Sequence, residues 1–148
     1  MAWRFFFTIM KLTDHFTLEE LTDTATMLPN KPGDVELDNL KKLAENVLEP
    51  ARNMLDMPIT VNSGYRSISV NISVGGSKTS QHVKGEAADL DCDDNSKLFN
   101  IIRNELEFDQ LIWEAGNDKQ PAWVHVSYCE GKSRKQVLRM KNNQYTRM

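Results

Sequence analysis

The chain has 148 residues, of which 40% are hydrophobic and 26% charged, with a formal net charge of -3. That length suits one ordinary domain, and the composition argues against a disordered or membrane-embedded chain. The weak net charge argues against a molecule built as a whole to bind polyanions, so no nucleic-acid partner is expected.

The first ten residues hold Phe5-Phe6-Phe7 behind Arg4. The run is too short for a secretory apolar segment and lacks an Ala-x-Ala-like cleavage site, so it reads as a leading strand or extension, with synthesis in the cytoplasm. Thr17-Leu18-Glu19-Glu20 is a capping-box pattern that should open a short helix. After the Pro- and Gly-bearing loop 28–34, apolar residues from Val35 to Leu55 recur at helical spacing, which predicts a long amphipathic helix kinked or divided at Pro50. Residues 58–63 are β-prone and deliver Gly64-Tyr65-Arg66 to a strand end. A helical turn over 69–73 then leads into the Gly75-Gly76 loop.

Ala87–Asp91 reads as a strand, and Asn95 or Ser96 should cap a helix through Glu105. Residues 108–114 and the alternating stretch Trp123-Val124-His125-Val126-Ser127 read as a hairpin with a long loop. Residues 136–139 add a last strand, with a frayed end beyond. Nothing approaches the ~20 apolar residues of a membrane-crossing helix. Cys92 and Cys129 have no CxxC spacing and read as free thiols. The basic end after Glu130, from Lys132 to Arg147, reads as a solvated face.

The stretch Ser80-Gln81-His82-Val83-Lys84-Gly85-Glu86-Ala87-Ala88-Asp89 places a histidine and an aspartate seven positions apart. With His125 from the later strand, His82 and Asp89 make a two-His, one-carboxylate set, which suits a Zn²⁺ that keeps a fourth position for water. The same set also suits non-haem iron. Spacing alone favours a plainer reading, with a loop histidine, a turn aspartate and a half-buried strand histidine.

The order of motifs changes that balance. Ser63-Gly64-Tyr65-Arg66-Ser67, Asn71, Gly75-Gly76, Ser80-Gln81-His82, Gly85 and Ala87-Ala88-Asp89 together resemble the zinc D-Ala-D-Ala carboxypeptidase family, over about Phe16 to Leu138. The resemblance implies an α+β fold, a small antiparallel sheet flanked by helices as in the hedgehog and DD-peptidase fold. It also implies one metallopeptidase-like domain, with a core of about 14–140 in the 148 residues. The implied activity is zinc-dependent hydrolysis of peptidoglycan stem peptides, as a carboxypeptidase or as an endopeptidase of the endolysin type. The expected molecule is a monomer that acts on the cell wall without a membrane partner, as a phage lysin would.

The resemblance assigns Zn²⁺ to His82, Asp89 and His125, and substrate recognition to Arg66, with Ser80 and Gln81 either as further substrate contacts or as residues that stabilise the loop. The family commonly carries its catalytic acid three residues before the last zinc histidine, and here that residue is Ala122. Glu114, on the strand expected to pair with that of His125, is the replacement base. Two other classes stay open at this point: a zinc-bearing cell-wall binding module without catalysis, which Ala122 favours, and a metal-free structural component of a phage particle or wall assembly.

Overall fold

The computed structural model describes residues 9–148, so the Phe5–Phe7 run read as a leading strand lies outside the described residues. Thr17 caps α1 (Leu18–Thr22) with the full reciprocal box: its hydroxyl accepts from the Glu20 amide while the Glu20 carboxylate accepts from the Thr17 amide. The long amphipathic run forms α2 (Asp34–Leu43), a π-helical turn (Ala44–Leu48) and α3 (Glu49–Leu55) in unbroken succession. Pro50 therefore divides the rod by changing its winding. Proline has no amide hydrogen and its ring crowds the preceding turn, and a π bulge just before it absorbs that conflict.

The remaining elements are β1 (Thr60–Ser63), α4 (Ile68–Ser73), a 3₁₀ turn (Gln81–Lys84), β2 (Ala87–Asp91), α5 (Asn95–Glu105), β3 (Gln110–Glu114), β4 (Trp123–Ser127), β5 (Gln136–Lys141) and β6 (Gln144–Arg147). The class is α+β, with the strands in one sheet ordered β1-β2-β4-β3-β5-β6. Its pairings are antiparallel as expected, except that β5 runs parallel to β3. Residues 115–135, which contain β4, carry the chain back across the sheet and make that parallel return possible.

The cap of α5 is Asp94, whose carboxylate accepts from the Lys97 amide, while Asn95 bonds Asp91, the Cys92 amide and the carbonyl of Pro121. The end expected to fray is instead strand β6, turned back onto β5 by Asn142 and Asn143, both at positive φ. Asparagine tolerates that conformation better than most residues, and it is what a two-residue hairpin turn requires.

The register sorts the sheet into two faces. Ala88, Leu90, Leu111, Trp113, Val124 and Val126 share one face and are buried against Leu40, Leu43, Val47, Leu48, Leu98, Phe99 and Ile102 from the helices. Phe99 meets Trp113 edge to face, with centroids 5.2 Å apart. The alternate residues line the other face, in rows read across the strands. One row runs Ser63, Asp89, His125, Ile112 and Leu138, and the next holds Trp123, Glu114, Met140 and Tyr145. Strand alternation thus commits one side of the sheet to the core and leaves the other as the floor of a polar cleft. Among the described residues no helix is long and apolar enough to cross a membrane.

Candidate metal centre and active site

His82 is held by a short turn. Ser80 caps it, its hydroxyl accepting from the His82 amide, and Gly85 closes it at φ 74°. A side chain at Gly85 would both strain that left-handed backbone and put its Cβ 2.5 Å from the Glu36 carbonyl oxygen. His82 Nδ1 lies 2.8 Å from the Gly64 carbonyl oxygen. A carbonyl only accepts, so Nδ1 carries the hydrogen and the Nε2 lone pair is turned toward Asp89, 3.5 Å from Oδ2. Strand register sets the other two residues opposite each other, with His125 Nδ1 3.0 Å from Asp89 Oδ1. One donor atom from each of His82, Asp89 and His125 lies within 4.8 Å of the others, and both histidines are buried.

These residues fit a divalent metal. His125 Nε2 lies 3.2 Å from the Gln81 side-chain oxygen, so its hydrogen points there, as that of His82 points to Gly64. Two imidazole lone pairs therefore converge on a carboxylate, three acceptors with no donor among them. With both rings neutral that cluster is repulsive until a proton or a metal cation enters it, and two nitrogens with one oxygen is a donor set zinc accepts. Burial alone would raise Asp89, but His125 and His82 beside it hold its carboxyl well below the usual range, in the anionic form a metal needs.

Arg66 faces the same point from the end of β1. Its Nη2 is 3.5 Å from Asp89 Oδ2, while Nε donates to Ser63 and Nη1 to Asn71. The Gly64 backbone that orients His82 also positions Arg66, and it has no room to spare: a Cβ at Gly64 would lie 2.4 Å from the Leu21 carbonyl oxygen. Gly64→Ala should accordingly lower stability by about 1–3 kcal/mol, read from the denaturant midpoint, because the backbone must shift to admit the methyl group.

Glu114 lies on the cleft face one row from His125, paired with Trp123. It is buried, and burial pushes its carboxyl up to about 7, with His125 opposing and Asp89 adding to the rise. Ala122, at the position where a base was expected, is exposed, and its amide donates to the Glu114 carbonyl at 2.9 Å. The neighbouring strand thus supplies a carboxylate beside the position that the alanine leaves without one. Arg66, His82, Asp89, Glu114 and His125 line a single open cleft of about 950 Å³, together with Gly76, Lys84, Trp123 and Tyr145.

The remaining predicted residues separate. Ser80 lines the cleft while capping the His82 turn. Gln81, read as a substrate contact, has both ends of its amide engaged, the oxygen by His125 and the nitrogen by Asp109. Asp91, at the end of β2, accepts from Asn95. Cys92 and Cys129 are free thiols. Asp109 and Arg134 escaped the sequence reading, although an acid heading the otherwise apolar run Leu111-Ile112-Trp113 was a usable signal.

A family model described as Peptidase M15 matches residues 14–127. The zinc D-Ala-D-Ala carboxypeptidase of Streptomyces albus G is 57% identical over 37 residues. That stretch is 25% of this chain and 14% of that relative's length.

Proposed function

The chain belongs to the peptidase M15 family, and from that premise we propose that it is a zinc metallopeptidase that hydrolyses peptide bonds in peptidoglycan stem peptides. The observation that carries this reading is the convergence of His82, Asp89 and His125 on one point beside a buried Glu114 near pKa 7. The name of the Streptomyces relative supports the choice of zinc and of a D-Ala-D-Ala bond or one near it.

His82, Asp89 and His125 hold the metal. When bound, Zn²⁺ polarises the scissile carbonyl and acidifies water. Glu114 takes a proton from the attacking water and returns it to the leaving amine; burial raises its carboxyl, which favours holding that proton, and a bound cation opposes the rise. Arg66, already tethered by Ser63 and Asn71, offers its remaining donors to a substrate carboxylate or to the carbonyl oxygen as charge builds on it. Trp123, Met140 and Tyr145 form the wall along which the stem peptide lies.

The setting we propose is the cell wall, reached as a phage-type lysin. The reading of a zinc-bearing binding module rests on Ala122, and Glu114 weakens it, since a binding module has no need of a buried carboxylate poised near neutrality. Digestion of purified peptidoglycan by the zinc-loaded chain, followed by product masses, tests the proposal. New amino and carboxyl ends are expected, and their identity names the bond. Stoichiometric zinc with no new ends would replace the enzyme with the binding module, and a chain that takes up no zinc would remove both.

A further inference from the structure

His125 is oriented by a chain of three side chains that the reaction itself does not use. Arg134 donates to both oxygens of Asp109, from Nε at 2.6 Å and from Nη2 at 3.1 Å. Asp109 is 1% exposed, and its backbone is fixed at the head of β3 by its N–H, which donates to the Ser127 carbonyl at 2.9 Å. Its Oδ2 accepts from Gln81 Nε2 at 3.0 Å, and Gln81 Oε1 faces His125 Nε2 at 3.2 Å.

Each link has a fixed direction. The guanidinium only donates and the carboxylate only accepts, so the Gln81 amide must turn its nitrogen to Asp109 and its oxygen to His125. A histidine facing that oxygen donates. We propose that Asp109 and Gln81, backed by Arg134, are positioning residues that keep the hydrogen of His125 on Nε2 and so present the Nδ1 lone pair to the metal beside Asp89.

The proposal rests on the reading of His82, Asp89 and His125 as metal ligands and adds what sets one ligand's tautomer. Partners of this kind are worth about 10–100-fold in metal affinity. Arg134 lies beyond the stretch matched by the family model, so the cation that anchors the relay comes from the following segment.

Asp109→Asn tests the direction of the chain at nearly constant volume. An asparagine that keeps its oxygen toward Arg134 turns its amide nitrogen to Gln81. Gln81 must then reverse, its own nitrogen meets His125 Nε2, and the ring hydrogen moves to Nδ1, where it blocks the metal. The exchange Gln81→Glu with Asp109→Asn restores the original direction, because the new carboxylate accepts from both neighbours. Gln81→Met removes the link while leaving the Asp109–Arg134 pair in place, and it carries the test if Asp109→Asn does not fold.

Zinc affinity of the full chain is read by competition with a chromophoric chelator. The His125 Nε2 hydrogen of the zinc-loaded chain is read by ¹⁵N-edited NMR. Asp109→Asn and Gln81→Met should each bind zinc about 10–100-fold more weakly. The exchanged pair should recover to within about threefold of wild type, with a slowly exchanging Nε2 hydrogen that Asp109→Asn lacks. Single variants within about threefold of wild type would overturn the proposal, as would an exchanged pair no tighter than Asp109→Asn. A wild-type chain that takes up no zinc would overturn the metallopeptidase reading itself, an outcome distinct from these.

Discussion

Glu114→Gln is expected to lower turnover of peptidoglycan stem peptides by about 10²–10⁴-fold while zinc content stays at the wild-type level. The amide keeps the shape of the carboxyl and cannot take a proton from water. Zinc should be retained because the donor atoms that converge come from His82, Asp89 and His125. Turnover measured by release of new amino ends, with metal content on the same preparation, checks both halves; full activity in a zinc-loaded variant would move the base elsewhere in the cleft.

The same substitution has a consequence for stability, with the opposite sign. Glu114 titrates near 7 in the folded chain against about 4.5 in the unfolded one, because burial penalises its charge. Below the unfolded value both states are protonated and full stability is present; it is lost as pH rises through the folded value. In chelator-treated protein, Glu114→Gln should therefore be more stable than wild type at pH 8, by on the order of 2 kcal/mol, and equal to it near pH 4. A bound cation in the cleft favours the carboxylate and should shrink the difference. Urea midpoints at the two pH values, with and without zinc, give the comparison. A variant that loses activity while gaining stability marks a group kept in place at a cost to the fold.

What could be read from residue order alone follows the range of the interactions involved. The Thr17 cap and the small residues of β2 are local, and their signals lie within a few positions of the structures they specify. The pairing of Asp89 with His125 spans 36 residues and was still recoverable, because both strands alternate cleanly and metal ligands belong to a small set of residue types. Gln81 shows where that reasoning stops. Its position beside His82 suggested a substrate contact or a loop-stabilising role, and its partners are Asp109, 28 positions on, and His125, 44 positions on. No spacing rule links a glutamine to a carboxylate that far along. The parallel seat of β5 beside β3 and the Asn142-Asn143 turn depended, respectively, on where the sheet had a free edge and on two residues whose left-handed tendency is modest.

Replacing either histidine should abolish hydrolysis, but the two variants should differ in what else they lose. His82→Ala removes a ligand and also the hydrogen bond to Gly64, the backbone that carries Arg66 and whose neighbour Tyr65 is bonded to α1. His125→Ala removes a ligand whose remaining partners, Gln81, Asp109 and Arg134, still hold one another. Zinc binding stabilises the folded chain by about 2.7 kcal/mol when the free metal stands at a hundred times its dissociation constant. Wild type should therefore show a Tm that climbs with added zinc, and both variants should show none. Without metal, each variant loses a buried imidazole that contacts Asp89. Both should melt below metal-free wild type, and His82→Ala should melt below His125→Ala, because only that change also unties the strand end. Thermal scans of the three chains across a zinc series, beside their metal contents, separate the outcomes. If the wild-type Tm did not climb with zinc, the cluster would be an ordinary buried hydrogen-bonded network, and the case for a cation between His82, Asp89 and His125 would fall with it.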